Sequence, residues 1–191
     1  LELEQVHLLG HSMGGMVAMR FALEHPMRVA SLILMDTSAE AVPTFADLTK
    51  LTEVIRAKGM DLLVANVQNN TAQQVSRAPS MGACIQRLGE QTYFARIKTK
   101  LTQMDPAAFI GIARELSAQE GVLKQLSQLH SPTTVVVGEE DTAFVKPSEA
   151  MATIIPNANL VTINNAAHSP QLENPQAWLA AIQEHLLCLS K

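Results

Sequence analysis

Ser12 stands in the run Gly10-His11-Ser12-Met13-Gly14-Gly15, between the apolar stretch Val6-His7-Leu8-Leu9 and a helix-forming stretch that includes Met16, Val17, Phe21 and Leu23. The spacing is Gly-X-Ser-X-Gly. A serine on a sharp strand-to-helix turn presents its hydroxyl clear of the sheet, where it can attack a carbonyl carbon. Such a turn brings its flanks together, so a side chain at Gly10 or Gly14 is expected to collide. The helix that opens after Ser12 aims unsatisfied N–H groups and a positive dipole end at the same place. The N–H of Met13 is therefore predicted to bind an oxyanion.

A serine hydroxyl is a weak nucleophile until a base takes its proton, and that base needs an orienting acid. Six histidines compete for the base. His7 lies inside the first strand, His25 precedes the helix-ending Pro26, His130 leads into a strand and His185 belongs to the last helix; each reads as structural. His11 adjoins the serine, but neighbouring side chains diverge at this kind of turn. It is predicted to line the substrate pocket. His168 lies in the loop Asn164-Asn165-Ala166-Ala167-His168-Ser169-Pro170, directly after the last strand. In a parallel sheet the loops leaving the C-terminal strand ends gather on one rim, where ligands bind. His168 is accordingly the predicted base. For the acid, Asp141 in the turn Gly138-Glu139-Glu140-Asp141-Thr142 is favoured, with Asp36, which follows the strand ending at Met35, as the alternative.

These side chains need a scaffold that brings distant segments to one rim. Continuous apolar runs at Val29–Met35 and Thr133–Val137, with a third strand at Asn159–Ile163, fit strands of a parallel sheet buried on both faces. With the opening strand, turn and helix, they define an α/β fold in two pieces, residues 1–42 and 130–191. Between them, residues 43–129 lose the β-branched runs. Helices are predicted there near Phe45–Ala57, Met60–Gln68, Met81–Lys98, Pro106–Leu116 and Gly121–Leu129, with Asp105 capping the fourth. Pro147–Ile155 is another predicted helix. Asn174-Pro175 opens a last one, with Trp178, Ile182, Leu186 and Leu187 on its apolar side.

Composition narrows the function. The chain has 191 residues, 14 Lys+Arg against 18 Asp+Glu, 47% hydrophobic and 4% aromatic residues. That hydrophobic share supports a packed core and excludes a disordered chain. A net charge of −4 with no basic cluster argues against a nucleic-acid partner. No apolar run is long enough for a membrane span. The first residues, Leu1-Glu2-Leu3-Glu4, lack the basic-then-apolar pattern of a secretion signal. The two cysteines, Cys84 and Cys188, form no metal motif. A cytoplasmic setting is expected, and neither metal nor cofactor is implied. Gly10–Gly15 is no phosphate loop, because no Lys-Ser/Thr follows it.

The segment around Ser12 resembles the nucleophile elbow of α/β-hydrolase-fold enzymes. Val137-Gly138-Glu139-Glu140-Asp141 and Ala166-Ala167-His168-Ser169-Pro170-Gln171-Leu172-Glu173-Asn174-Pro175 are similar to that family's acid and histidine loops, and the order Ser, Asp, His is the family's order. The resemblance implies Ser12 as nucleophile, Asp141 as acid, His168 as base, the Met13 N–H as oxyanion donor and residues 43–129 as a helical cap over the acyl pocket. It implies a serine hydrolase for a small-molecule carboxylic ester or lactone. A non-catalytic binding module, or a C–C hydrolase, perhydrolase or acyltransferase with the same triad, are the alternatives. In that family the nucleophile strand is usually the fifth, whereas here it opens the chain. The N-terminal strands and the loop that usually gives the second oxyanion donor are therefore expected to be missing, leaving a C-terminal portion of weak or no activity. Val6–Leu9 is expected to be a central buried strand whose outer side lacks a partner.

Overall fold

A computed structural model describes residues 3–41 and 48–189. The predicted start of a helix at Phe45, and the predicted boundary at 42–43, lie outside the described residues. The chain divides into two compact units, one formed by residues 1–40 and 121–191, the other by residues 41–120.

The first unit is built on strands β1 (Val6–His11), β2 (Val29–Met35), β3 (Thr133–Gly138) and β4 (Asn159–Ile163). All pair in parallel, in the order β1-β2-β3-β4 among the described residues. Helix α1 (Met13–Glu24) links β1 to β2, and α7 (Val145–Ile154) links β3 to β4. Crossovers of this kind are right-handed, so both helices cover one face. The chain then turns through the short α8 (Pro170–Glu173) into α9 (Pro175–Cys188), which lies on the other face. Side chains alternate along a strand. Ile33 and Met35 of β2, Val136 of β3 and Ile163 of β4 join Ala181 of α9 in one cluster, while Leu32 and Leu34 are fully buried on the opposite face.

Three expectations change on contact with this packing. β1 has an unpaired outer side in the described sheet, as expected, but it is not buried: Leu9 is 40% exposed opposite Ile33. Val17, counted with the apolar pattern of α1, is 62% exposed; the buried stripe runs Gly15, Met16, Ala18, Met19 and Ala22. On α9, Leu186 and Leu187 face outward. Its inner stripe is Ala177, Trp178, Ala181, Ile182 and His185. Small alanines let α9 approach the sheet, and Trp178 Nε1 donates to Met35 Sδ at 3.1 Å. His185 takes an inward place because it finds partners there. Its Nδ1 lies 2.8 Å from Thr134 Oγ1 and its Nε2 2.9 Å from Ser31 Oγ, which is also 2.9 Å from His7 Nδ1. Burial, with the nearby His7, holds the His185 imidazole below its ordinary pKa.

Residues 121–129, read from sequence with the helical insert, pack in this first unit. They form a 3-10 turn over Lys124–Gln128 with Leu126 and Leu129 buried, and Val122 N–H donates to the Ala39 carbonyl at 2.7 Å.

The second unit is helical: α2 (Leu48–Lys58), α3 (Asp61–Arg77), α4 (Pro79–Leu88), α5 (Glu90–Thr102) and α6 (Pro106–Ala118). Its core gathers Ile55, Met60, Leu63 and Ile110, with Leu51 and Phe109 packed alongside. The single helix expected over Met81–Lys98 is broken at Gly89, whose φ of 80° ends α4. α6 starts as its sequence specifies: Pro106 is the first helical residue and Asp105 accepts the Ala107 N–H at 2.7 Å.

No helix among the described residues is long and apolar enough to cross a membrane.

Candidate active site

β1 ends at His11 and α1 begins at Met13, so Ser12 carries the whole reversal. Its backbone has φ 55° and ψ −122°, a conformation that non-glycine residues seldom adopt. Three contacts hold it there. Ser12 N–H donates to the Met35 carbonyl of β2 at 2.9 Å. The Ser12 carbonyl accepts Gly15 N–H at 2.9 Å and the hydroxyl of the fully buried Thr37 at 2.7 Å. Thr37 gave no signal in the sequence, since its role exists only once β2 lies beside β1. The elbow's glycines also need a correction. A Cβ at Gly10 would sit 2.5 Å from the Gly14 carbonyl oxygen, as expected. At Gly14, however, it would meet open space, whereas at Gly15 it would stand 2.6 Å from the Thr37 side chain. The second tight glycine is therefore Gly15.

The sequence-predicted acid, base and nucleophile come together. His168 Nε2 is 3.0 Å from Ser12 Oγ, and His168 Nδ1 is 2.7 Å from Asp141 Oδ2. These two bonds span 156 and 27 positions of sequence. Asp141 is buried and His168 half-buried. The acid and histidine loops are laced together by backbone: Glu139 N–H donates to the Ile163 carbonyl and Glu140 N–H to the Ala166 carbonyl, at 3.0 and 2.8 Å. Glu173 clamps the histidine loop, its Oε2 accepting from Ala167 N–H at 2.6 Å and from Ser169 N–H at 3.2 Å, on either side of His168. Phe144 lies against the imidazole, ring centres 5.1 Å apart. Sequence reasoning missed Phe144, and it included Glu173 in the histidine-loop stretch without giving it a role.

Burial lowers the His168 pKa, but the hydrogen bond and charge of Asp141, with smaller contributions from Asp36 and Glu173, outweigh that and hold it above the ordinary value. Glu173 is itself raised by burial, against the pull of its two N–H donors.

The other predicted residues are also at this rim. His11 Nε2 lies 2.7 Å from the His168 carbonyl oxygen, and the two rings are 5.0 Å apart. Met13 is the first residue of α1, so its N–H belongs to the open helix end beside Ser12. Asp36 is not hydrogen-bonded to His168. It lies beneath Asp141, and an oxygen of each carboxyl and a ring nitrogen of His168 fall within 4.8 Å of one another. Such a triplet has the donor types of a cation site, but Asp141 and His168 are already hydrogen-bonded to each other at 2.7 Å.

Parallel sheet, elbow and rim define an α/β hydrolase. Residues 1–175 match the alpha/beta hydrolase fold family, and the chain belongs to that family. Among curated proteins it is 26% identical to a 2-hydroxy-6-oxononadienedioate/2-hydroxy-6-oxononatrienedioate hydrolase of Cupriavidus pinatubonensis, covering 97% of this chain and 63% of that protein. It is 27% identical to a pimeloyl-[acyl-carrier protein] methyl ester esterase of Aromatoleum aromaticum, covering 92% and 71%. Among solved structures, a thermophilic esterase of Thermogutta terrifontis superposes with a TM-score of 0.80 at 27% identity, over 98% of this chain and 66% of that one. The chain thus spans about two thirds of the length of the proteins it matches.

Proposed function

We propose that the protein is a serine hydrolase that cleaves a small carboxylic ester or lactone through an acyl-enzyme. The observation that carries this reading is the relay Ser12 Oγ, His168 Nε2, His168 Nδ1, Asp141 Oδ2, with links of 3.0 and 2.7 Å. His168 takes the hydroxyl proton as Ser12 Oγ attacks the carbonyl carbon. Asp141 keeps the proton of the other ring nitrogen on Nδ1, leaving Nε2 free to accept, and stabilises the imidazolium that results. The oxyanion forms beside the N–H of Met13 at the head of α1. His168 then protonates the leaving alkoxide, and a water deprotonated by the same ring releases the acid from Ser12. The esterases of Aromatoleum aromaticum and Thermogutta terrifontis support the ester reading.

A second reading is hydrolysis of a C–C bond next to a ketone, favoured by the likeness to the Cupriavidus pinatubonensis hydrolase. The same relay would serve either bond, since both reactions pass a carbonyl through tetrahedral addition. A panel of p-nitrophenyl esters set beside a 2-hydroxy-6-oxodienoate separates them. Covalent labelling by a fluorophosphonate tests what both share: label on Ser12 that is lost in Ser12→Ala supports the reading, and undiminished labelling of that variant overturns it.

A further inference from the structure

Among the described residues, Asp36 is the one fully buried acid that the proposed relay does not use. It follows directly on β2, with 0% of its surface exposed and φ at 44°. Its Oδ1 accepts the Gly138 N–H at 2.9 Å, which fixes the carboxyl under the acid loop. Among the described residues no donor reaches its Oδ2. A buried carboxylate oxygen with no donor is costly, and a second carboxylate beside it makes the cost greater. Asp141 is that second carboxylate, with oxygens of both residues and a His168 nitrogen inside 4.8 Å. One proton placed on Asp36 removes both costs. The bare oxygen becomes a donor, and the carboxylate of Asp141 in the same cluster is an acceptor for it.

We infer that Asp36 is held as a neutral carboxylic acid that donates a hydrogen bond to Asp141, making it a positioning residue for the acid of the relay. The inference rests on the triad reading for its catalytic meaning, though not for its structure. Asp141 then accepts from two sides, from His168 Nδ1 and from Asp36, and cannot turn away from the imidazole. The charge beneath His168 also stays near one unit. A second full carboxylate charge there would push the His168 pKa further up and favour the imidazolium, which cannot act as a base.

The ionisable groups bearing on Asp36 are Asp141, on the loop after β3, and His168, on the loop after β4; Glu173 bears on His168 instead. Burial raises the Asp36 pKa, the Gly138 N–H lowers it, and Asp141 raises it again beyond what His168 removes. The balance is pushed up to about 8.

The test begins with infrared spectra of Ser12→Ala, with and without Asp36→Asn, which need no turnover. A neutral-carboxyl carbonyl band at pH 7 that disappears in Asp36→Asn and fades as pH rises past about 8 is the expected result. No such band at pH 7 overturns the inference. In the otherwise unmodified protein, Asp36→Ala should lower kcat by about ten- to a hundredfold, the loss of one hydrogen bond to a charged group. Asp36→Asn, whose amide can donate to Asp141 and accept from Gly138, should recover most of that loss with KM unmoved. An Asn variant as impaired as Ala would mean that the charge, not the donor, matters, and would overturn the inference. If Asp36→Ala does not fold, the infrared result decides alone. Should Ser12→Ala keep its turnover while the band is present, the triad reading falls and the protonated Asp36 stands.

Discussion

Thr37 Oγ1 donates a 2.7 Å hydrogen bond to the carbonyl of Ser12, 25 positions earlier in the chain. The bond ties the elbow to the residue just past the end of β2, so the unusual backbone of Ser12 is over-determined by its neighbour strand. Gly15 leaves the room that Thr37 occupies. Gly15→Ala should therefore cost about 1–3 kcal/mol through overpacking. Gly14→Ala, where a Cβ meets nothing, should cost well under half of that. Thermal melts of the two variants side by side check the ordering, and equal losses would contradict it.

Removing the proposed nucleophile should nearly abolish turnover. By the measure of other serine hydrolases, Ser12→Ala loses about 10⁶-fold in kcat. Asp141→Asn leaves the geometry but favours the wrong imidazole tautomer, at about 10⁴-fold. Steady-state kinetics on the best ester from the panel measure both.

The acid limb of kcat/KM should have its midpoint above 6.5, because His168 must be neutral to act as a base and its pKa is raised. Activity rises with pH through that midpoint. Asp141→Asn removes the strongest raising influence, so the residual limb should move to lower pH. A limb that stays in place in the variant would separate it from His168.

Glu173 pins the backbone on both sides of the base, with bonds from Ala167 and Ser169 N–H. Glu173→Ala frees that loop, and small displacements of a catalytic group cost up to about 10²-fold. The fall should be in kcat more than in KM. Glu173→Gln, which keeps an acceptor, should lose less. Equal behaviour of the two variants would assign the effect to charge instead of anchoring.

Stability should carry the mark of Asp36. In the unfolded chain its proton leaves near pH 3.8, while in the folded protein it stays until about 8. Between those values the unfolded state binds fewer protons, so the group's contribution to stability is full below about pH 4 and declines as pH rises to about 8. Asp36→Asn does not titrate. The melting temperature of the variant relative to the parent should rise from pH 4.5 to pH 8, and a flat difference would contradict the raised value.

Much of the scaffold could be read in advance because its signals are local. β2 and β4 fall where apolar, β-branched runs place them, and α6 and α9 start at Asp105-Pro106 and Asn174-Pro175 as capping chemistry dictates. Ser12, Asp141 and His168 were legible because a strand end, a turn and a loop after a strand each mark the same rim. Contacts between segments had no such mark. Thr37 matters only through Ser12, Glu173 only through the backbone it clamps, and Asp36 only through Asp141. The inward turn of His185 at the expense of Leu186 and Leu187 is likewise decided by Ser31 and Thr134, which no helical periodicity reveals.

Ser31 has a single hydroxyl hydrogen, yet its oxygen stands 2.9 Å from a ring nitrogen of His7 and from one of His185. It can give that hydrogen to one ring only and must receive from the other. Each choice sets the tautomer of both imidazoles and whether Thr134 gives or receives. The row thus has two polarities that invert only in concert.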